Sequence, residues 1–535
     1  MKALYIAALA TALTAPAAAA QDIATEISVD RTIVPEQRDA ERPAGFVPAV
    51  QLPAAELRPL SLHEYLKASE LTNIVPVLEP ARYADTIATT PYRGYAALGY
   101  FPIYNLGASA GYRFIDSHDT RLGAWMQFDG TSYKGRDASD DLTFSNNSLN
   151  IGADFNRLFK AGHLAVGAGY MYGRTGIPTL GDGYHSNVSR VEADASWWGR
   201  VNTVTYRAGF DFEHFAFNGC FGEQRYTAEL GAMIGGGRER PAGGLEIKGD
   251  FLSGGNGQLT FLPYYGYANS MVTAHVGLKA DIATGSLDFG DDAYSPSRFH
   301  LAPDVLLAWT PSQMFAAEAR VSGGSRLNTA AACYDYSPFM TPQEMLPYSH
   351  VPVDAQLRFA VGPVAGVTFT LFGGYSMADD WLMPSLVERN GRALNCFATV
   401  DIKGWLAGVE VGYHWRDIVE FEATAQMTPQ RSDRGWYLWL DHAQYVVDAA
   451  LKVRPLDRLD IDLGYEFRGR RMLYAPQTAM NLGNKSDLSL GAAYRISEPL
   501  SVWLRAENLL CRRYDILAGV PSQGIKGLVG VSYKF

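Results

Sequence analysis

The residues in this sequence best equipped for chemistry are four cysteines and a few histidines beside carboxylates. Cys220, Cys333, Cys396 and Cys511 are too widely spaced for a CxxC metal or redox motif. Two bridges among four exported thiols would leave three connectivities open, and at least one bridge is expected once the chain is outside the cytoplasm. His63-Glu64 and Glu213-His214 are the nearest acid–base pairs, and each stands alone. HExxH and a nucleotide-binding glycine loop are absent from the sequence, so it offers no catalytic constellation and implies no cofactor or metal. The remaining charge-bearing residues, among them Glu420, Glu422, Asp460, Asp462 and Glu466, alternate with apolar ones. That spacing points to a hydrated wall, and strands must build it.

The strands are legible by their period of two. Leu459, Ile461, Leu463, Tyr465 and Phe467 form one face, while Asp460, Asp462, Gly464, Glu466 and Arg468 form the other. The same rule sets Leu488, Leu490, Ala492, Tyr494 and Ile496 against Ser489, Gly491, Ala493 and Arg495. It recurs with Val419, Phe421, Ala423 and Ala425 against Glu420, Glu422, Thr424 and Gln426, and with Val191, Ala193, Ala195 and Trp197 against Arg190, Glu192, Asp194 and Ser196. A strand in a soluble sandwich averages roughly 5–6 residues. Many here run to about 10 or more, the length a tilted strand needs to cross hydrocarbon. One apolar and one charged face at that length predict a transmembrane antiparallel β-barrel, an all-β fold with a hydrated lumen.

Composition agrees. The 535 residues include 53 Gly and 30 Tyr, and mean hydropathy is only −0.09. After the N-terminus no stretch approaches the ~20 apolar residues of a membrane helix. The net charge of −10, without a basic stripe, argues against a nucleic-acid partner. At the N-terminus, Met1-Lys2, the apolar run Ala3 to Ala15 and Ala18-Ala19-Ala20 before Gln21 read as a signal peptide over 1–20. No cysteine follows that cleavage site, so a lipid-anchored N-terminus is not expected.

Tight turns are expected at Asp116 to Thr120, Lys160 to Gly162, Thr310 to Gln313, Arg416-Asp417, Pro455 to Asp457 and Ser497 to Pro499. Longer segments alternate with them: Gly135 to Asp140, Gly176 to His185, Leu327 to Ser349, Asp379 to Asn395 and Pro429 to Trp436. Short turns face the periplasm in such barrels. The count over residues 94–535 is about 22 strands, least clear between Gly236 and Ser297. On this orientation all four cysteines fall at the outer face. So do Tyr334-Asp335-Tyr336 and Trp436 to Trp439, which would offer aromatic contacts to a solute.

The last strand runs from Gly524 to Phe535 and places Val529, Val531, Tyr533 and the terminal Phe535 on the lipid side. A terminal aromatic with another two positions earlier resembles the signal read by outer-membrane barrel assembly machinery, so Val531, Tyr533 and Phe535 are the expected assembly residues. More broadly, Leu500 to Phe535 resembles the C-terminus of TonB-dependent receptors, matching at Glu507-Asn508-Leu509, Arg512-Arg513-Tyr514 and Pro521 to Gly524. Cys511 departs from that pattern. The resemblance implies a 22-stranded barrel in the cell outer membrane, solute uptake, and a folded plug before the first strand.

Only residues 21–93 precede the barrel here, which is short for that plug. Glu26, Ile27, Ser28 and Val29 resemble the start of a TonB box, and an extended β-prone linker would read the same way. Pro35 to Pro59 is rich in Pro and charge and reads as extended chain. Ser61 to Leu71 is predicted as a helix with a Ser61/Glu64 capping box. Its expected partners are outer-membrane lipids for the barrel and a periplasmic TonB-like protein or a lipoprotein for the extension. Two functions follow: passage of a solute, energised or passive and porin-like, or a scaffold that docks a partner.

Overall fold

A computed structural model describes residues 92–102, 104–136, 141–181, 183–235, 241–285, 287–288, 293–294, 299–343, 346–389, 392–416, 418–432, 443–474 and 479–535. The signal peptide, the TonB-box-like Glu26 to Val29, the Ser61 to Leu71 helix, His63 and Trp436 to Trp439 lie outside the described residues. What is described is a closed antiparallel barrel of 22 strands, from Gly94–Phe101 to Lys526–Lys534. The stretch that was hardest to read from sequence resolves into Ala242–Leu252, Gly257–Ala268 and Val272–Thr284.

Closure is made by the first and last strands, which pair from Tyr95 with Lys534 to Tyr100 with Val529. The seam ends in a clamp. The carbonyl of Phe535 accepts from the backbone N–H groups of Arg93 and Gly94, both at 2.8 Å, and its own N–H donates to Gly94 at 2.9 Å. Val531, Tyr533 and Phe535 sit on the outer surface, each about half exposed. Inside the same seam, the Trp503 ring lies flat over Gly99 and Gly530, where an added Cβ would collide with it from either strand. Glycine is needed at both positions to seat that ring.

Large apolar side chains such as Leu98, Leu230, Leu301, Leu371 and Trp405 are exposed all round the barrel. On a water-soluble protein such a belt would be an aggregation surface, and on this fold it is the lipid face. Both chain ends of the barrel lie at the end with the short connections, among them 160–161, 202–203, 313–314, 365–366 and 457–458. The opposite end carries 327–348, 428–444, 470–484 and 508–525.

Two local expectations are corrected. The turn expected at Thr310 to Gln313 starts later, because the strand Phe299–Ser312 keeps pairing to Ser312 with Phe315 across a bulge. The loop expected at Asp379 to Asn395 is instead a tall hairpin, Val367–Arg389 with Arg392–Trp415. A register shift between Ala378 and Trp381 turns Trp381 and Met383 inward, where they pack with Val351, Val400 and Ile402. Burial on that re-aimed face holds the hairpin above the level of its neighbours.

Candidate functional site: the lumen and its outer cap

The polar face of the strands lines the lumen, and the register sets its charges in rows. One row runs Asp154, Gly167, Asp194, Asp211, Thr227, Asp250 and Gln258 across seven consecutive strands. Asp194 faces Asp211 directly, and Glu192 faces Glu213 one step nearer the outer end. Like charges placed opposite each other destabilise a ladder unless cations or water screen them. Arg190 supplies one cation, 3.2 Å from Glu213 and 3.5 Å from Glu192. Arg225 grips Asp250 with two contacts of 2.8 and 2.5 Å.

The far wall is more evenly paired. Arg468 meets Asp448 at 2.7 Å, Lys485 meets Glu466 at 2.6 Å, and Arg454 meets Asp460 at 2.6 Å. Arg358 pairs with Glu410, and Glu507 lies between Arg505 and Lys526. The sequence-selected carboxylates Glu420, Glu422, Asp460, Asp462 and Glu466 therefore belong to one lumen wall, as alternation requires. Glu213 and His214, adjacent on a strand, point to opposite faces and form no acid–base pair. Among the described residues no group of three or more His, Cys, Asp or Glu side chains is arranged to hold a metal.

Above this wall the outer loops turn inward. Thr329 caps the helix Ala330–Tyr336, its hydroxyl accepting from the Ala332 N–H at 3.1 Å. The alanine run that follows has the best intrinsic helix propensity. This loop leaves the barrel between Phe315–Arg326 and Ser349–Val364, yet its helix docks on strands far round the ring. Arg190 donates to Asp335 at 2.7 Å and to the carbonyl of Ala331 at 3.2 Å. The Glu223 carboxylate accepts from the Ala330 N–H at 2.9 Å. Tyr334 packs on Phe215, with Val188 and Phe217 in the same cluster.

A second cluster joins still more distant parts of the ring. Tyr133 and Phe144 from early strands meet Ile177 and Leu180 from one loop and Phe339, Met340 and Leu346 from another. Leu382, Phe397, Leu517 and Val520 complete it. Polar ties cross the mouth as well: the Tyr133 hydroxyl donates to the Pro521 carbonyl at 2.9 Å, Asn395 to Ala518 at 3.0 Å, and Arg471 to Asp515 at 2.7 Å. Strands on opposite sides of the barrel are thus bridged by one apolar cap.

The cap corrects two expectations. Tyr334 and Tyr336 are not held out to a solute: Tyr334 is buried, its hydroxyl pushed up to about 12 mainly by that burial, and Tyr336 packs edge-on against Phe397. All four cysteines are free thiols. Cys220 and Cys511 are exposed on separate outer turns, whereas Cys333 and Cys396 are buried on a helix and a strand. The bridge expected from their shared outer position is absent from this structure: Cys220 and Cys511 sit on turns far apart round the ring, and Cys333 and Cys396, though near each other, are both free thiols. The cap helix itself carries no extended sequence signal. Only Thr329 before Ala330, Ala331 and Ala332 marks it.

No family model matches the sequence, and no curated protein matches it either. The fold is what finds relatives. The ferric enterobactin receptor PfeA from Pseudomonas aeruginosa superposes with a TM-score of 0.60 at 12% identity, covering 83% of this chain and 80% of that one. The FrpB iron transporter from Neisseria meningitidis gives 0.62 at 11%, covering 84% and 82%. The copper transporter OprC gives 0.59 at 11%, covering 83% and 80%. The fold is that of the outer-membrane TonB-dependent receptors. At these identities the likeness shows the fold alone.

Proposed function

We propose that this chain is an outer-membrane, receptor-like barrel for the uptake of a solute, shut on its outer side by its own loops. The observation that carries this reading is the cap: apolar loop residues from opposite sides of the ring pack together above a wall of hydrated charge. A polar lumen suits a passing solute, and an unclosed barrel of this width would exceed the 16–18-stranded porins that already hold an aqueous channel. The receptor and transporter neighbours support uptake in general. Neither the solute nor the energy source is assigned by them. Among the described residues no side-chain constellation supports an enzymatic reading. Residues 21–93 serve in this proposal as the periplasmic segment that meets a TonB-like partner.

Planar-bilayer conductance tests the reading. The intact protein should be nearly silent, and it should stay nearly silent after Asp22 to Pro91 is removed, because the outer cap remains. Large steady conductance from the intact protein would defeat closure and favour a passive channel. Opening on removal of the N-terminal segment alone would move the closure to the periplasmic side. A scaffold role would gain if loosening the cap, with that segment also removed, still gave no conductance.

A further inference from the structure

Under the cap helix lies a small cavity lined by Arg326, Asn328, Ala332, Cys333, Ser349, Trp381, Leu382 and Phe397. Its free space accommodates about one water-sized sphere. Among the described residues Arg326 is the only charged one in that lining. Its side chain makes no hydrogen bond and no ion pair among the described residues. The nearby acid is already engaged, since Asp250 is gripped twice by Arg225. Arg225 is itself close enough to repel Arg326. Cys333 cannot supply the missing charge, because burial pushes its thiol well up from the usual range and keeps it protonated. The Asn328 amide is committed to the Pro347 carbonyl at 2.6 Å and the Ser349 hydroxyl at 2.9 Å, and the Ser349 hydroxyl donates to Asp380 at 2.8 Å.

A guanidinium placed at a confined, largely apolar cavity without a counter-charge is costly. We infer that the cavity beside Arg326 binds a small monovalent anion of halide size, chloride being the plain case. Free space for about one water-sized sphere suits a single small ion better than phosphate, sulfate or an organic acid. The guanidinium provides charge and donors. Arg326, Ser349, Trp381, Leu382 and Phe397 belong to the wall, whereas Asn328, Ala332 and Cys333 belong to the loop. An anion held between them ties the loop to the wall, so halide and a closed cap stabilise each other. This inference does not depend on what solute the barrel takes up.

Cys333 reports on it, being buried when the cap is closed. Full-length protein in detergent would be alkylated with a maleimide in sodium chloride, sodium bromide and sodium gluconate at equal ionic strength, and Cys333 modification followed by mass. At halide ten times its dissociation constant, modification should be about tenfold slower than in gluconate. Arg326→Gln should remove the difference, and Arg326→Lys should retain part of it. Equal rates in all three salts for the unaltered protein, or halide dependence surviving in Arg326→Gln, would overturn the site. If Arg326→Gln does not fold, crystals of the unaltered protein grown in bromide decide the matter. An anomalous peak beside Arg326 supports the site, and bare density there ends it.

Discussion

The outer cap and the lumen wall below it are built from the same chain by opposite rules. In the wall, charged side chains alternate with lipid-facing ones and line the lumen. Its more exposed ion pairs, such as Arg454 with Asp460 and Lys248 with Glu229, are placed to be hydrated. In the cap, apolar side chains from five separate segments exclude water, and the few charges present, Arg190 above all, act as anchors. The difference teaches where specificity of shape resides. A hydrated wall tolerates rearrangement because solvent replaces lost partners, whereas the cap depends on particular contacts that water cannot replace.

That contrast can be broken at its most sensitive points first. The largest effect is expected at the seam on which both regions depend. Deleting Phe535, or substituting Phe535→Asp, removes an aromatic from the lipid face beside Tyr533 and Tyr112, and the folded barrel should largely disappear. A midplane Arg or Lys on this face costs about 2–4 kcal/mol, and Asp near the interface less, so the deletion is the stronger arm. Heat-modifiable migration on gels reads the outcome, and normal levels would mean that the terminal residue is not an assembly signal.

Next is the anchor of the cap. Arg190 is only 11% exposed and serves Asp335, Glu213 and the Ala331 carbonyl together. Removing one partner of such a buried network costs about 3–5 kcal/mol. Arg190→Ala should therefore speed alkylation of Cys333 by roughly a hundredfold or more while leaving the barrel heat-modifiable. An unchanged rate would show that apolar packing alone holds the loop.

The thiols themselves sharpen the comparison without any substitution. In protein isolated without reductant, Cys220 and Cys511 should react at once, and Cys333 and Cys396 only slowly. Recovery of a cross-linked peptide by mass mapping would restore the bridge that the sequence suggested.

Smallest of all should be changes in the wall. Glu410→Gln breaks the pair with Arg358, and Asp460→Asn the pair with Arg454. Each should cost no more than about 1 kcal/mol if water reaches these groups as it does on a surface. Cys333 reactivity should not change, and the thermal midpoint should move by a few degrees at most. A loss as large as that of Arg190→Ala would mean that the lumen is not hydrated.

The barrel was legible because its information is local. Alternation over Leu459 to Arg468 and over Val419 to Gln426 fixes which face meets lipid, and turn spacing fixes the strand count, so neither requires knowledge of distant contacts. The exceptions have the same cause. The hairpin above Ala378 was read as a loop because a single register shift there reverses the faces, and the turn after Ser312 moved because a bulge extended the pairing.

By itself, then, the sequence determined a closed membrane barrel and its lumenal charge, since a period of two is a property of neighbouring residues. Only the tertiary structure decided how the outer mouth is filled. Ile177, Leu180, Phe339, Met340, Leu517 and Val520 follow no period and lie in loops far apart in the chain. Their meeting depends on closure of the ring, which sets those loops facing one another across the mouth. The same closure buries Cys333, leaves Cys220 and Cys511 apart, and places Arg326 against a cavity where, among the described residues, its side chain has no ion-pair partner.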